Sequence, residues 1–325
     1  MLRLPTFTYH RPSDVATAVA LAAEHPRAMF VAGGTDLYPN MKRRHQVPEH
    51  VIALAGIAEL HGIDGTPETG MSIGAMTPLR DVERDARLLS AYPGLAHAAA
   101  VVSTPLLRNM GTLGGNLLLD TRCTYYDQSH EWRESIDFCM KKDGRICWVA
   151  PGSPRCWAVQ SSDTVPLLSA MRAEVTLTSP RGTRRIEVGE LYRDDGIRYL
   201  TKAPDELLVR VHLPPVGAWR ASYAKLRRRG TFDFPVLGVG ACLWFDGEII
   251  RDARVRLGGV GSFAIPATEV EAALRGQRLD ESVVTAASEP AFKPARPMDN
   301  TDHEVAWRKK MAPVFVARAL RACRL

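Results

Sequence analysis

The sequence predicts a mixed α/β protein of two domains, and three observations carry that prediction. At 325 residues the chain is long enough to build two or three hydrophobic cores. Its first third alternates helix and strand signals, whereas beyond Gly217 three strand-patterned runs follow one another before helical pattern returns. A Pro/Gly break at Pro214–Gly217 separates the two regimes, so the boundary is drawn between 217 and 218.

Along the chain, Ser13 is the expected N-cap of an apolar-periodic helix over Asp14–His25. A short buried strand follows over Arg27–Ala32, broken by the glycines of "GGTD", then a helix over Leu37–Arg43 and a strand over His50–Ala55. A second segment opens near Ala58. It holds a strand over Met71–Ala75, Thr77 as an expected N-cap with Pro78 in the first turn, and an alanine-rich helix near Leu95–Val102. After Cys156 a helix over Val165–Met171 feeds a strand, and another strand precedes the Pro/Gly break. The second domain opens with "SYAKLRR", "VLGVGACLWF" and "IIRDARVRLGGV", read as antiparallel strands, and ends in helices.

Composition narrows the function classes. No apolar stretch is long enough to span a bilayer, and the N-terminus lacks a basic start followed by an apolar core, so the expectation is a cytoplasmic protein. The net charge of +6 comes from scattered bases, and the clusters at Lys42–His45 and Lys225–Arg229 are short. That pattern suits a solvated or docking surface better than nucleic-acid binding.

Two glycine-rich stretches carry chemistry: "VAGGTDL" (Val31, Ala32, Gly33, Gly34, Thr35, Asp36, Leu37) and "RNMGTLGGNL", which holds Gly111, Thr112, Leu113, Gly114, Gly115 and Asn116. Glycines let the backbone adopt positive φ and approach a ligand, and consecutive N–H groups form a concavity for phosphate oxygens. Thr35, Thr112 and Asn116 would add side-chain donors. Either stretch alone reads equally as a tight turn, and neither is a GxGxxG fingerprint. One in each of two adjacent lobes suits a pyrophosphate gripped from both sides.

Between them and the second half lies a loop-like stretch with four of the six cysteines: Cys123, Cys139, Cys147 and Cys156, with 15, 7 and 8 residues between them. A segment with so little apolar core needs a staple. Four thiolates can hold zinc or an iron–sulfur cluster. Zinc sites commonly use CxxC knuckles, which are missing, and a reducing compartment disfavours disulfides. A [4Fe–4S] cube tolerates irregular spacing because its corners face four directions. Cluster, zinc and structural thiols all remain open on these grounds. Cys242 sits in an apolar run and reads as core, and Cys323 has no evident role.

"VAGGTDL", "RNMGTLGGNL" and "KLRRRGTFDFPVLGVGACL", in that order, resemble the FAD-binding subunit of the xanthine dehydrogenase family of molybdenum hydroxylases across nearly the whole chain. The resemblance implies a two-lobed FAD domain of the vanillyl-alcohol-oxidase (PCMH) type over 1–217, with lobe one about 1–57 and lobe two about 58–217. A C-terminal α+β domain like that of CO dehydrogenase flavoprotein would occupy 218–325. Carried over, Val31–Leu37 would cradle the FAD pyrophosphate and Gly111–Asn116 would close on it. Thr77, Val102, Thr124, Asp163 and Lys225 would make the remaining flavin contacts. Lys225 could stabilise an anionic reduced flavin; otherwise it is a strand-edge lysine in water. Asp163 could equally cap the helix over Val165–Met171.

The cysteine stretch, an insertion at about 120–160, resembles the β subunit of the 4-hydroxybenzoyl-CoA reductase branch, which implies a [4Fe–4S] cluster on Cys123, Cys139, Cys147 and Cys156. It further implies a molybdenum-cofactor large subunit and a small subunit with two [2Fe–2S] clusters in a dimer of heterotrimers. Ferredoxin or a similar donor would feed electrons through [4Fe–4S] and FAD, for aromatic compound degradation by reductive dehydroxylation of an aryl-CoA. No side chain of this subunit would serve as acid, base or nucleophile. "RNMGTLGGN", however, follows the ordinary xanthine-dehydrogenase-type pattern, which keeps an oxidative aldehyde or N-heterocycle hydroxylase in view. A zinc-stapled, non-catalytic scaffold subunit is the rival from another class.

Overall fold

The structure, a computed structural model, describes residues 2–324. Lobe one is a parallel sheet of β1 (Thr8–His10), β2 (Ala28–Val31) and β3 (His50–Ala53), ordered β1-β3-β2. Parallel neighbours need crossovers, and helices Val15–Glu24 and Leu37–Lys42 supply them. The first buries Val15, Ala18, Val19 and Ala22, one stripe of a 3.6-residue period, against Ile52 and Leu54. Asp14, not Ser13, is its N-cap: the carboxylate accepts the Thr17 N–H at 2.7 Å.

Lobe two is antiparallel. β4 (Ile63–Thr66), β5 (Gly70–Gly74), β6 (Glu174–Ser179), β7 (Gly182–Glu187) and β8 (Leu207–Leu213) run in the order β4-β5-β8-β6-β7. Val175 and Leu177 of β6 alternate inward onto Ile73, Leu208 and Val211. The long connection from β5 to β6 carries the second glycine stretch and all four clustered cysteines. Within it Thr77 caps nothing. Pro78 takes the N-cap position of helix Leu79–Arg84, and the Thr77 hydroxyl donates to the Gly62 carbonyl at 3.0 Å.

The remaining sheet comprises β9 (Trp219–Leu226), β10 (Leu237–Asp246), β11 (Ile249–Gly258) and β12 (Ile265–Pro266), antiparallel in the order β12-β11-β10-β9. Helices Thr268–Leu274, Glu281–Ser288 and Val305–Ala322 cover one face over Val239, Ala241, Leu243 and Val255. The other face receives helix Thr164–Ala170 of lobe two, and Tyr223 and Cys242 join that lobe's core. Cys242 is thus core, and buried Cys323 lies with its sulfur 3.4 Å from the Ser222 hydroxyl. Among the described residues no helix is long and apolar enough to cross a membrane.

Candidate functional site

The two glycine stretches meet. The first leaves β2 at Val31 and turns at Gly34, whose φ of +71° lies in the left-handed region. Gly33 lies against the second stretch so closely that a Cβ there would stand 1.7 Å from the Met110 carbonyl oxygen. The second stretch then enters the short helix Leu113–Leu117, with the Thr112 hydroxyl accepting the Gly115 N–H at 3.1 Å. Asn116 is fixed by its Oδ1, which accepts the hydroxyls of Ser162 (2.6 Å) and Thr164 (2.7 Å), so its amide N–H groups remain as donors.

Between the stretches opens a cavity of about 430 Å³, within the range of small-molecule and cofactor sites. All of Val31–Leu37 line it, as do Val102, Gly111, Thr112, Gly114, Gly115, Asn116 and Asp163. Four anticipated residues do not. Thr77 and Leu113 are buried behind the wall, Thr124 is exposed, and Lys225 stands behind Asp163. Sequence reasoning missed Asp120 and Arg122, just beyond the second glycine stretch, and Tyr199 and Phe234, brought to the cavity from distant parts of the chain. Arg122 gave one faint signal, being the base directly before the first cysteine. Its guanidinium lies 4.0 Å over the Phe234 ring, 3.3 Å from Asp127 and 3.6 Å from Asp36. Burial pushes Asp36 up to about 6 against the pull of Arg122.

Behind the cavity Asp163 accepts hydrogen bonds from the Tyr223 hydroxyl (2.8 Å) and the Lys225 ammonium (3.0 Å), which also reaches the Val101 carbonyl at 2.9 Å. Burial pushes the Asp163 carboxyl up and the Lys225 ammonium down, and their mutual contact opposes both shifts. Lys225 therefore addresses the cavity through Asp163. The Asp163 side chain does not cap helix Thr164–Ala170; the Ser162 hydroxyl does, accepting N–H groups of Thr164 and Val165.

The insertion folds so that Cys123, Cys139, Cys147 and Cys156, all buried free thiols, line one small cavity with Tyr126, Lys141 and Trp148. Burial and the neighbouring cysteines push Cys123 up to about 12 and Cys156 up to about 11. Four apposed thiols in a dry site repel one another once ionised, so this donor set calls for a multivalent cation among them. A tetrahedral zinc with bonds of about 2.3 Å needs its sulfurs about 3.8 Å apart. Among the described residues the only three His, Cys, Asp or Glu donors mutually within 4.8 Å are His10, His25 and His50, so no three of these sulfurs are. The sulfurs are therefore not gathered as tightly as a single tetrahedral ion requires. In the histidine group itself the ring nitrogens of His10 and His50 share a hydrogen bond at 2.9 Å and His25 stacks on His50 at 3.8 Å, so the lone pairs do not converge.

The two cavities share a wall. Asp120 and Arg122 line the first, Cys123 lines the second, and Lys141 of the second donates to Asp120 at 2.9 Å.

Two glycine loops close on one cleft of cofactor size, with a buried lysine–aspartate pair behind it. The family described as "FAD binding domain in molybdopterin dehydrogenase" matches residues 5–216, and "CO dehydrogenase flavoprotein C-terminal domain" matches residues 221–323. The chain belongs to this family, as an FAD-binding medium subunit of the molybdenum hydroxylases. It is 34% identical to the aldehyde oxidoreductase FAD-binding subunit PaoB of Escherichia coli K12, over 79% of this chain and 82% of that one. The carbon monoxide dehydrogenase medium chain of Hydrogenophaga pseudoflava is 28% identical over 98% of this chain and 97% of its own. Carbon monoxide dehydrogenase from that organism, in the form lacking the Mo-pyranopterin moiety, superposes with a TM-score of 0.79 at 27% identity, covering 99% of this chain and 98% of the other.

Proposed function

We propose that this chain is the flavin- and iron–sulfur-carrying electron-transfer subunit of an oxidative molybdenum hydroxylase whose substrate is an aldehyde. The observation that carries the electron-transfer reading is the four-cysteine cavity sharing the Asp120–Lys141 wall with the flavin cleft. The oxidative direction draws on the relatives, which include an aldehyde oxidoreductase, carbon monoxide dehydrogenases and a xanthine dehydrogenase FAD-binding subunit. The aryl-CoA reductase expectation draws no support from them, and rests on the cysteine insertion alone.

FAD supplies one- and two-electron exchange, and a cluster on the four cysteines supplies one-electron exchange. The chain's own residues hold and orient. Backbone N–H groups of Ala32–Leu37 would grip the pyrophosphate. From the second stretch only the Thr112 N–H and the Asn116 side-chain amide would add donors, because the other N–H groups of Gly111–Asn116 are spent on protein acceptors, and Asp163, backed by Lys225, would face the flavin. Cys123, Cys139, Cys147 and Cys156 would hold the cluster, in a cavity that Tyr126, Lys141 and Trp148 also line. A large molybdenum-cofactor subunit and a small [2Fe–2S] subunit complete the complex, with ferredoxin or a similar carrier as external partner. The test is turnover by the anaerobically purified complex, offered aldehydes with an oxidised viologen and, separately, 4-hydroxybenzoyl-CoA with a reduced one. Aldehyde oxidation is the expected result. Dehydroxylation of the thioester without aldehyde turnover reinstates the reductase.

A further inference from the structure

From the wall between the two cavities we infer that Asp120 and Lys141 form a fixed charge pair that biases electron flow from the flavin towards the cysteine cluster, with Lys141 setting the cluster's potential. The inference rests on the cluster reading proposed above. Lys141 is the one charged residue lining the cysteine cavity, and its side chain is only 6% exposed. A buried lysine usually snorkels to water. This one spends all three ammonium protons inside, on Asp120 Oδ1 (2.9 Å), Thr121 Oγ1 (2.8 Å) and the Gly196 carbonyl (2.8 Å), and lies over the Tyr126 ring at 4.8 Å. Asp120 is held as firmly. Its Oδ2 accepts from the Tyr126 hydroxyl and the Gln46 amide, both at 3.2 Å.

The pair is therefore oriented, cation on the cysteine side and anion on the flavin side. A cluster with four thiolates is anionic and becomes more so on reduction, so an adjacent buried cation favours its reduced form. A carboxylate lining the flavin cavity disfavours added negative charge there. Both effects tilt the same way, making the cluster the electron sink, which is the direction an oxidative enzyme needs.

The test is a redox titration of the complete complex, following the cluster by low-temperature EPR and the flavin by absorbance. It uses the wild type, Lys141→Gln, Lys141→Arg and Asp120→Asn. At the wild-type cluster midpoint, Lys141→Gln is expected to lower the ratio of reduced to oxidised cluster at least tenfold, about 59 mV for one electron. Lys141→Arg should stay within threefold, and Asp120→Asn should move flavin and cluster alike towards the reduced form. Where Lys141→Gln loses its iron, Asp120→Asn, which retains Lys141 and all four thiols, carries the test. A cluster ratio within twofold of wild type in iron-replete Lys141→Gln overturns the inference, as does Asp120→Asn leaving both centres unmoved or shifting them towards the oxidised form. A wild type without four-iron signal overturns the cluster reading itself, which iron analysis identifies separately.

Discussion

Gly33 and Lys225 show how single residues fix the flavin cleft. A methyl group at Gly33 has nowhere to go, because the Met110 carbonyl occupies its place and belongs to the opposing loop's backbone. Gly33→Ala should force the loops apart, so the purified variant is expected to lose most of its flavin, read by absorbance near 450 nm. A variant that keeps full flavin would show that the loop contact is not needed for binding. Lys225 is tied into a buried pair with Asp163. Removing the cation alone strands a carboxylate, a change that costs about 3–5 kcal/mol where burial is complete. Lys225→Met should therefore lower the urea midpoint sharply, and Lys225→Met with Asp163→Asn should recover much of the loss. Equal destabilisation by single and double variants would contradict the pairing.

At the scale of elements, the insertion is the part that depends on something other than apolar packing. Its own core is a handful of residues around Cys123, Tyr126, Cys139 and Cys156. On the proposed cluster reading, extraction of iron is expected to open it to protease between 120 and 160 while the sheets stay protected, checked by mass spectrometry of the fragments. A second tie is His45, buried in lobe one, with Nε2 3.0 Å from the Gln128 carbonyl. Burial pushes this histidine down to about 4, below its ordinary 6.5. The unfolded chain then takes up the proton first. Stability from neutral His45 is whole above about pH 6.5 and is lost progressively down to about pH 4. Asp36, pushed up to about 6, works with the opposite sign in part of that window. The comparison with His45→Gln isolates the effect: urea midpoints should converge as pH falls from 7 to 4.5. A constant gap would mean that His45 does not titrate there.

For the molecule as a whole, legibility followed chemistry that repeats or clusters. Lobe one was legible because Val15, Ala18, Val19 and Ala22 form one stripe and the flanking strands are apolar. β4 was not: Ile63–Thr66 is mostly exposed and held by its pairing to β5, so no alternating pattern marks it. Thr77 misled because its hydroxyl found a carbonyl across the chain rather than the helix N-terminus. In the site, glycines and cysteines announced themselves by residue type. Asp120 and Lys141 did not, although they sit beside the glycine and cysteine motifs, because ordinary aspartates and lysines carry no local mark, and Phe234 reaches the cavity only through folding.

The central claim, that one chain carries both FAD and a four-iron cluster, is tested most directly by iron and acid-labile sulfide per chain in the anaerobically purified protein, with EPR after reduction. The complex without and with Cys139→Ser is the comparison. The expected result is four irons and four sulfides in excess of those held by the partner subunits, with a [4Fe–4S] signal that disappears in the variant while the flavin remains. Zinc in place of that iron, or an iron content unchanged by Cys139→Ser, would contradict the account and leave the insertion a structural appendage on an FAD relay.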